Sequence, residues 1–318
     1  MKKMSGQTAA QEWLQEQVER YNKDIISGSE LKNKQCAVRW LLQSKVDGKG
    51  FAEWNLYAFE DLLPKDICTG LLAKLQDKSV KTQKNYCNIY KQFFNYCIAS
   101  GYLRTNALQF AKIESVRTSK DLLAEKINHS EIRAIANCME KDFQLVFTTA
   151  IQTGLRQGEQ RALQWKDIDL KEKILYVRQA VTRDICGERI GNVKSKSSVR
   201  DIPLTEGFTK ELMQEYLRRG RPSLEEYVFV NRNKQFLQAL IFRTKLADAV
   251  KKAGVKPIRW HDLRHYFASC LFDSLGAEYF IVSSLLGHSS VEFTRQQYVH
   301  WLRNDNRDNK VRAALGEK

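Results

Sequence analysis

"RWHDLRHYFAS", residues 259–269, places two arginines and two histidines within eleven positions. At about 100° per residue, Leu263, Phe267, Cys270 and Leu271 share one arc of a helix, and His261, Arg264 and His265 fall on the other. The helix is therefore expected to bury one face and to present imidazole and guanidinium together on the opposite one. A merely solvated face would favour Lys and Glu over this set. His261 and His265 stand at the i, i+4 spacing of a metal pair, but "HDLRH" lacks the glutamate of H-E-x-x-H, and an arginine between them would repel a cation. An anion is the better guest, because arginine offers a planar donor fork and histidine a donatable proton.

Three other stretches keep this one company. In "QTGLRQGEQRALQWKDID" (152–169), Arg156 follows Gly154 at a predicted helix break, where a side chain can point into a cleft, and Glu159 lies placed to hold a guanidinium or imidazole. Alone, that pair would read as an ordinary surface contact. "NVKSKSSVRDIPL" (192–204) reads as a basic hairpin ahead of an apolar strand end, with Lys194 or Lys196 at its tip. In "LLGHSSVEFTRQQYVH" (285–300), Gly287 ends an apolar helix, His288 sits just past it and Tyr298 follows ten residues after His288. In isolation Tyr298 would be a core aromatic.

Together these residues name a reaction. Two arginines can neutralise the non-bridging oxygens of a phosphodiester as charge builds in a pentavalent transition state. A phenol with a pKa of about 10 is a poor nucleophile until it is deprotonated or set against cations. There it can attack phosphorus and form a phosphotyrosyl bond, while a lysine protonates the departing oxygen and histidines assist the proton traffic. The guanidiniums supply the positive charge, so neither metal nor other cofactor is called for. The covalent bond conserves the energy of the broken linkage, so ATP is not required, and no P-loop sequence is present.

The bulk numbers agree. The chain has 318 residues, enough for two domains, with 43% apolar and 28% charged residues. No apolar run approaches the roughly 18 residues of a membrane span, and the start lacks a secretory signal, so a cytoplasmic location is expected. The formal charge is +15: nineteen basic against twelve acidic side chains up to residue 120, and 33 against 25 beyond it. A basic excess in both halves suits a clamp around a polyanion better than one basic arm. Seven dispersed cysteines without a C-x-x-C pair read as reduced core residues.

Residues 8–110 read as helices. "VKTQKNYCNIYKQFFNYCIASG" (80–101) sets Tyr86, Ile89, Phe93, Phe94 and Cys97 at helical spacing and stops at Gly101. Lys81, Lys84 and Lys91 lie opposite, either as a solvated face or as phosphate contacts. Periodicity fades from 106, and a linker is placed over 113–124. Beyond it, "DFQLVFTTAIQTG" (142–154) is an apolar helix closed by Gly154. "KILYVRQAVT" and "KSKSSVRDIPL" read as strands separated by a turn-prone "DICGERIGN", with helical patterns from about 207 onward.

At this point the sequence resembles the tyrosine recombinases, the phage-integrase type of site-specific DNA recombinase. The likeness runs in order through "TGLRQGE", "KSKSSVRDIPL", "HDLRHYFAS" and "LGHSSVEFTRQQYVH", and the helical stretch from Ser79 looks like the family's core-binding domain. The resemblance implies a mainly α fold with a small β-sheet: a helical core-type DNA-binding domain over 1–112 and a mixed α/β catalytic domain over 125–302. It makes Arg156 and Arg264 the phosphate-binding arginines, His261 the partner in H-x-x-R, His288 the position filled by His or Trp, and Tyr298 the nucleophile that leaves a 3′-phosphotyrosyl enzyme. Glu159 matches the supporting acid. Lys194 matches the general-acid lysine, with Lys196 as second choice. It further implies a clamp around duplex DNA, a homotetramer on specific recombination sites, and accessory DNA-bending proteins as possible partners. Residues 303–318 would dock on a neighbouring protomer. The core-binding pattern begins close to Met1, which leaves no room for an arm-site domain and implies simpler sites. Rival readings are a non-catalytic DNA-binding regulator on the same fold, a type IB topoisomerase-like enzyme, and a metal nuclease using His261 and His265.

Overall fold

The computed structural model describes residues 4–113, 127–185, 187–193, 196–275 and 278–298, with Lys196, Leu275 and the stretch 296–298 described by backbone alone. The linker expected over 113–124 (from 114 on), Lys194 and the tail 303–318 lie outside the described residues. The chain forms two compact units, Met1–Thr118 with Arg183–Gly187, and Ser119–Thr182 with Glu188–Lys318.

The first unit is built from α1 (Gly6–Asn22), α2 (Gly28–Leu42), α3 (Leu56–Phe59), α4 (Pro64–Ala73) and α5 (Val80–Ala99). Serines start three of them: the hydroxyls of Ser5, Ser27 and Ser79 accept from the N–H groups of Thr8, Glu30 and Thr82. Ile89, Phe93, Phe94 and Cys97 of α5 are buried, as their spacing predicts, and Phe93 meets Trp13 and Phe51 edge to face. Gly101, at φ +72°, takes the left-handed turn that follows the helix. The all-helical expectation needs one correction. Strands β1 (Lys45–Val46) and β2 (Lys49–Gly50) form a small hairpin, whose turn residues Asp47 and Gly48 have φ +50° and +74°. Asp-Gly is the dipeptide that such a turn demands, so this signal was present in the sequence.

The second unit contains α6 (His129–Cys138), α7 (Lys141–Thr153), α8 (Gln157–Ala162), strands β3 (Ile168–Asp169), β4 (Ile174–Val177) and β7 (Arg200–Pro203), and all of β5 (Gln179–Asp184) and β6 (Gly187–Asn192) except Arg183, Asp184 and Gly187. Helices α9 (Glu206–Arg218), α10 (Ala239–Ala253), α11 (Trp260–Leu275), α12 (Tyr279–Leu286) and α13 (Val291–Tyr298) follow. Strands β3, β4 and β7 make one antiparallel sheet in that order, with Leu175 opposite Ile202 and Val177 opposite Arg200. The fold is thus mainly helical with small antiparallel sheets.

Two local readings change here. "DICGERIGN" is not a long turn, because Gly187–Asn192 is strand β6, paired with β5. Gly187, which opens β6, has a φ of +123° that suits glycine. The pairing is cross-strand and so invisible to a count of turn-forming residues. Likewise 219–238 is not helical: Gly220 and Arg221 have positive φ, the bridge Gln164↔Tyr227 ties the segment to the loop after α8, and the bridge Val230↔Phe236 closes a turn within it.

The core gathers around Trp260, which meets Phe143, Phe147 and Phe242 edge to face with ring centroids 4.8–6.4 Å apart. Its indole N–H donates to Gln160 Oε1 at 3.2 Å, and Gln160 Nε2 donates to the Val146 carbonyl at 2.6 Å. The first turn of α11, directly before His261, is therefore locked to α7, α8 and α10.

Candidate active site

Helix α7 ends at Gly154 with φ +59°, and a Cβ there would lie 2.3 Å from Phe267 Cδ1. Only glycine allows both the left-handed cap and this approach of α11. Arg156 follows in extended conformation and starts α8. Its N–H and its Nη1 both donate to the Glu159 carboxylate, at 2.9 and 2.8 Å. Glu159 is buried, while the Arg156 side chain keeps 37% of its surface exposed. A fork held from behind and open in front is what anion capture requires.

Arg264 differs from its expected place. It is 2% exposed, buried as Leu263, Phe267 and Ala268 of the same helix are, rather than standing on an open polar face, and Cys270 and Leu271 are only half buried. The buried guanidinium is satisfied by carbonyls: Nη1 donates to Gly154 at 2.9 Å and Nη2 to Leu286. A helical wheel sorts residues by angle and cannot foresee acceptors that other elements bring. His261 and His265 do share a face, with ring centroids 4.9 Å apart. Among the described residues no group of three His, Cys, Asp or Glu is gathered as a metal ion would need.

The C-terminal end of α12 organises the rest. Gly287 closes it at φ +65°. The carbonyls of Leu285, Leu286 and Gly287 accept, in turn, from Arg200 Nε at 2.6 Å, from Arg264 Nη2, and from Arg156 Nη2 at 2.9 Å. Three consecutive peptide carbonyls, at the negative end of a helix, thus hold three guanidiniums. Arg200 is a site residue that the motifs did not point to. Its signal was the alternation of β7, in which Arg200 and Ile202 share the buried face: a charge at an inward strand position needs a buried partner. That partner is Glu159, met by Nη2 at 2.8 Å and Nη1 at 3.2 Å.

His288 follows directly, with Nδ1 2.7 Å from the buried Thr294 Oγ1 and its ring against Phe293. Ser290 Oγ accepts from the Phe293 N–H at 3.1 Å and starts α13, whose last residue is Tyr298. The position of the Tyr298 side chain lies outside the described residues. Lys196 begins a short turn of 3₁₀ helix, Lys196–Ser198. In the first unit, Lys81 and Lys84 are exposed on α5, whereas Lys91 donates to the Ala111 carbonyl at 2.8 Å and so ties the 106–111 loop to the helix.

The electrostatics follow from this crowding of cations. Burial, then the Arg264 and Arg156 guanidiniums, push His288 down to about 3. Burial and the neighbouring His261 bring His265 down to about 4. His261 is lowered too, by loss of water on its protein side and then by Arg264. Burial would raise the Glu159 carboxyl, but Arg200, by hydrogen bond and charge, and then Arg156 outweigh it and hold it below the usual range. At neutral pH the imidazoles are therefore neutral and the guanidiniums carry the positive charge. The site can neutralise an anion at Arg156 and offer neutral imidazole hydrogen bonds beside it. A cavity of about 640 Å³ lined by Lys141, Gln144, Glu211 and Arg218 contains none of these residues.

Comparison with known proteins bears on this arrangement. The phage integrase family model matches residues 125–305. A tyrosine recombinase XerC-like protein of Caldanaerobacter subterraneus is 30% identical over 71% of this chain and 63% of its own length. Prophage integrase IntR of Escherichia coli is 24% identical over 74% of this chain and 60% of its own. The chain thus spans about three fifths of the length of these relatives. Among solved structures, the Tn1549 transposon integrase bound to transposon right end DNA superimposes with a TM-score of 0.74 at 17% identity, covering 98% of both chains. Lambda integrase residues 75–356 bound to DNA gives 0.65 at 16% identity, covering 96% of this chain and all of that one. With the four polar stretches and the arginine-lined end of α12 all inside the matched region, this chain belongs to the phage integrase family of tyrosine recombinases.

Proposed function

We propose that the protein is a site-specific DNA recombinase that cuts and rejoins duplex DNA through a covalent tyrosine intermediate. One observation carries this reading: Arg156 and Arg264 are anchored by adjacent carbonyls at the end of α12, one residue before His288 and on the chain segment leading to Tyr298. Their guanidiniums are thereby held in fixed mutual geometry, and the transition state forms without reorganising them.

In this mechanism the Tyr298 phenol passes its proton to the neutral imidazole of His261 as its oxygen attacks the scissile phosphorus, the bond to the 5′ oxygen breaks, and the 3′ end remains as a phosphotyrosyl ester. Arg156 and Arg264 neutralise the non-bridging oxygens. His261 and His288, neutral, donate hydrogen bonds. Lys194 protonates the 5′ oxygen, with Lys196 as the alternate. In the reverse step a 5′-hydroxyl from the partner strand attacks phosphorus and releases the tyrosine. Glu159 supports Arg156, and Lys81 and Lys84 contact phosphates outside the reacting centre. Relatives named as prophage and ICEBs1 integrases favour mobile-element integration or excision as the setting, with a homotetramer on paired sites and DNA-bending helpers as partners.

The test does not need a known target. The full chain is incubated with a pool of random-sequence duplexes, each carrying one nick, and denaturant-resistant adducts are recovered and sequenced. A recombinase enriches a defined sequence attached at Tyr298, with or without EDTA. Absence of any adduct favours a non-catalytic DNA-binding regulator. Sequence-independent relaxation of supercoiled plasmid favours a topoisomerase-like enzyme.

A further inference from the structure

Arg200 is 7% exposed although it carries a full charge. It meets three elements at once: Glu159 of α8 through Nη2 and Nη1, the Leu285 carbonyl of α12 through Nε, and the Ser198 carbonyl of the lysine-bearing segment through Nη1 at 3.1 Å. Glu159 is shared, because its Oε1 also accepts from Arg156 Nη1 and its Oε2 from the Arg156 N–H.

The charges explain why one carboxylate faces two guanidiniums. Glu159 fixes the direction of the Arg156 fork, but a buried carboxylate paired with Arg156 alone would cancel the charge that an anion is to meet. A second guanidinium restores one positive unit to the trio. Because Arg200 and Glu159 are sealed from solvent and Arg156 is not, that excess is delivered at Arg156.

We propose that Arg200 is a positioning residue: it neutralises Glu159, so that Arg156 is held in place without losing its charge to the scissile phosphate. The proposal deepens the recombinase reading and rests on it. A mere brace between β7 and α12 would use the same hydrogen bonds, and charge restoration separates the two roles.

Arg200→Met, Glu159→Gln and the double variant are compared in single-turnover adduct formation on the duplex selected by covalent capture. Arg200→Met is expected to slow the step about a hundredfold, as losing one transition-state donor does. The double variant is expected to return to within about tenfold of the parent, since Gln keeps a carbonyl for Arg156 and the net charge is restored. A double variant no faster than Arg200→Met overturns the proposal. Should Arg200→Met fail to fold, its buried Glu159 being short of a partner, the double variant leaves no buried charge unpaired and decides alone: a hundredfold loss sinks the idea. Inorganic phosphate, titrated against each variant and followed by the His261 ring signals in NMR, supplies a DNA-free measure. If the parent forms no adduct on any duplex, the recombinase reading fails. Phosphate binding weakened about tenfold in Arg200→Met and recovered in the double variant would still support the charge role, and equal binding in all would refute it.

Discussion

Arg264 donates to the Leu286 carbonyl and Arg156 to that of Gly287, so two guanidiniums lean on neighbouring peptide groups of a single helix end. They do so from opposite circumstances, one buried and the other more than a third exposed. That contrast separates their contributions to stability and to chemistry.

Arg264→Met is expected to lower stability by about 2–4 kcal/mol, because the Gly154 and Leu286 carbonyls lose a buried donor. Arg156→Lys should stay within about 1 kcal/mol of the parent, as a partly exposed pair contributes little. It should nevertheless slow adduct formation by about 10²-fold or more, since a point charge cannot reproduce the planar fork. Urea unfolding and adduct kinetics on the same samples check both halves. Near-parental adduct formation by Arg156→Lys would show its role to be misassigned.

Tyr298→Phe removes one oxygen and is expected to bind DNA as the parent does, while forming no covalent adduct. Gel mobility shift and denaturing gels on the captured duplex measure the two properties. An adduct surviving in this variant would place the nucleophile elsewhere.

Glycine at two helix ends gives a stability comparison. Gly154→Ala combines a positive φ with a 2.3 Å approach to Phe267 and is expected to lose about 2–4 kcal/mol. Gly101→Ala, at φ +72° with open space around it, should lose only about 1 kcal/mol. Equal losses would mean that the α7–α11 approach is looser than described.

Acid should destabilise this protein in a definite window. His288 titrates near 3 and His265 near 4 in the folded state, against about 6.5 when unfolded. Between those values the unfolded chain binds more protons, so stability is full above about pH 6.5 and falls as pH drops toward 4. Glu159, held below the usual carboxylate range, adds a further loss at lower pH still. His288→Gln should flatten the slope of unfolding free energy between pH 6.5 and 4, measured by urea titration at stepped pH. An unchanged slope would show that this imidazole is already protonated in the native protein.

What the sequence alone determined is the set of local signals and their order along the chain. Helix caps, the spacing of Ile89, Phe93 and Cys97, and the glycines that end α7 and α12 are encoded within a few residues of one another, because they depend on backbone dihedrals and side-chain period. The four polar stretches were legible for the same reason, each being a short run of unusual residue types. Tertiary structure alone decided what those residues face. The pairing of β5 with β6, the burial of Arg264, the meeting of Arg156 and Arg200 on Glu159, and the seating of Arg200, Arg264 and Arg156 on the successive carbonyls of Leu285, Leu286 and Gly287 depend on partners up to 131 residues away in sequence. A charge becomes a buried anchor or a solvated ornament according to the partners that folding brings to it, and no periodicity within its own helix or strand records them.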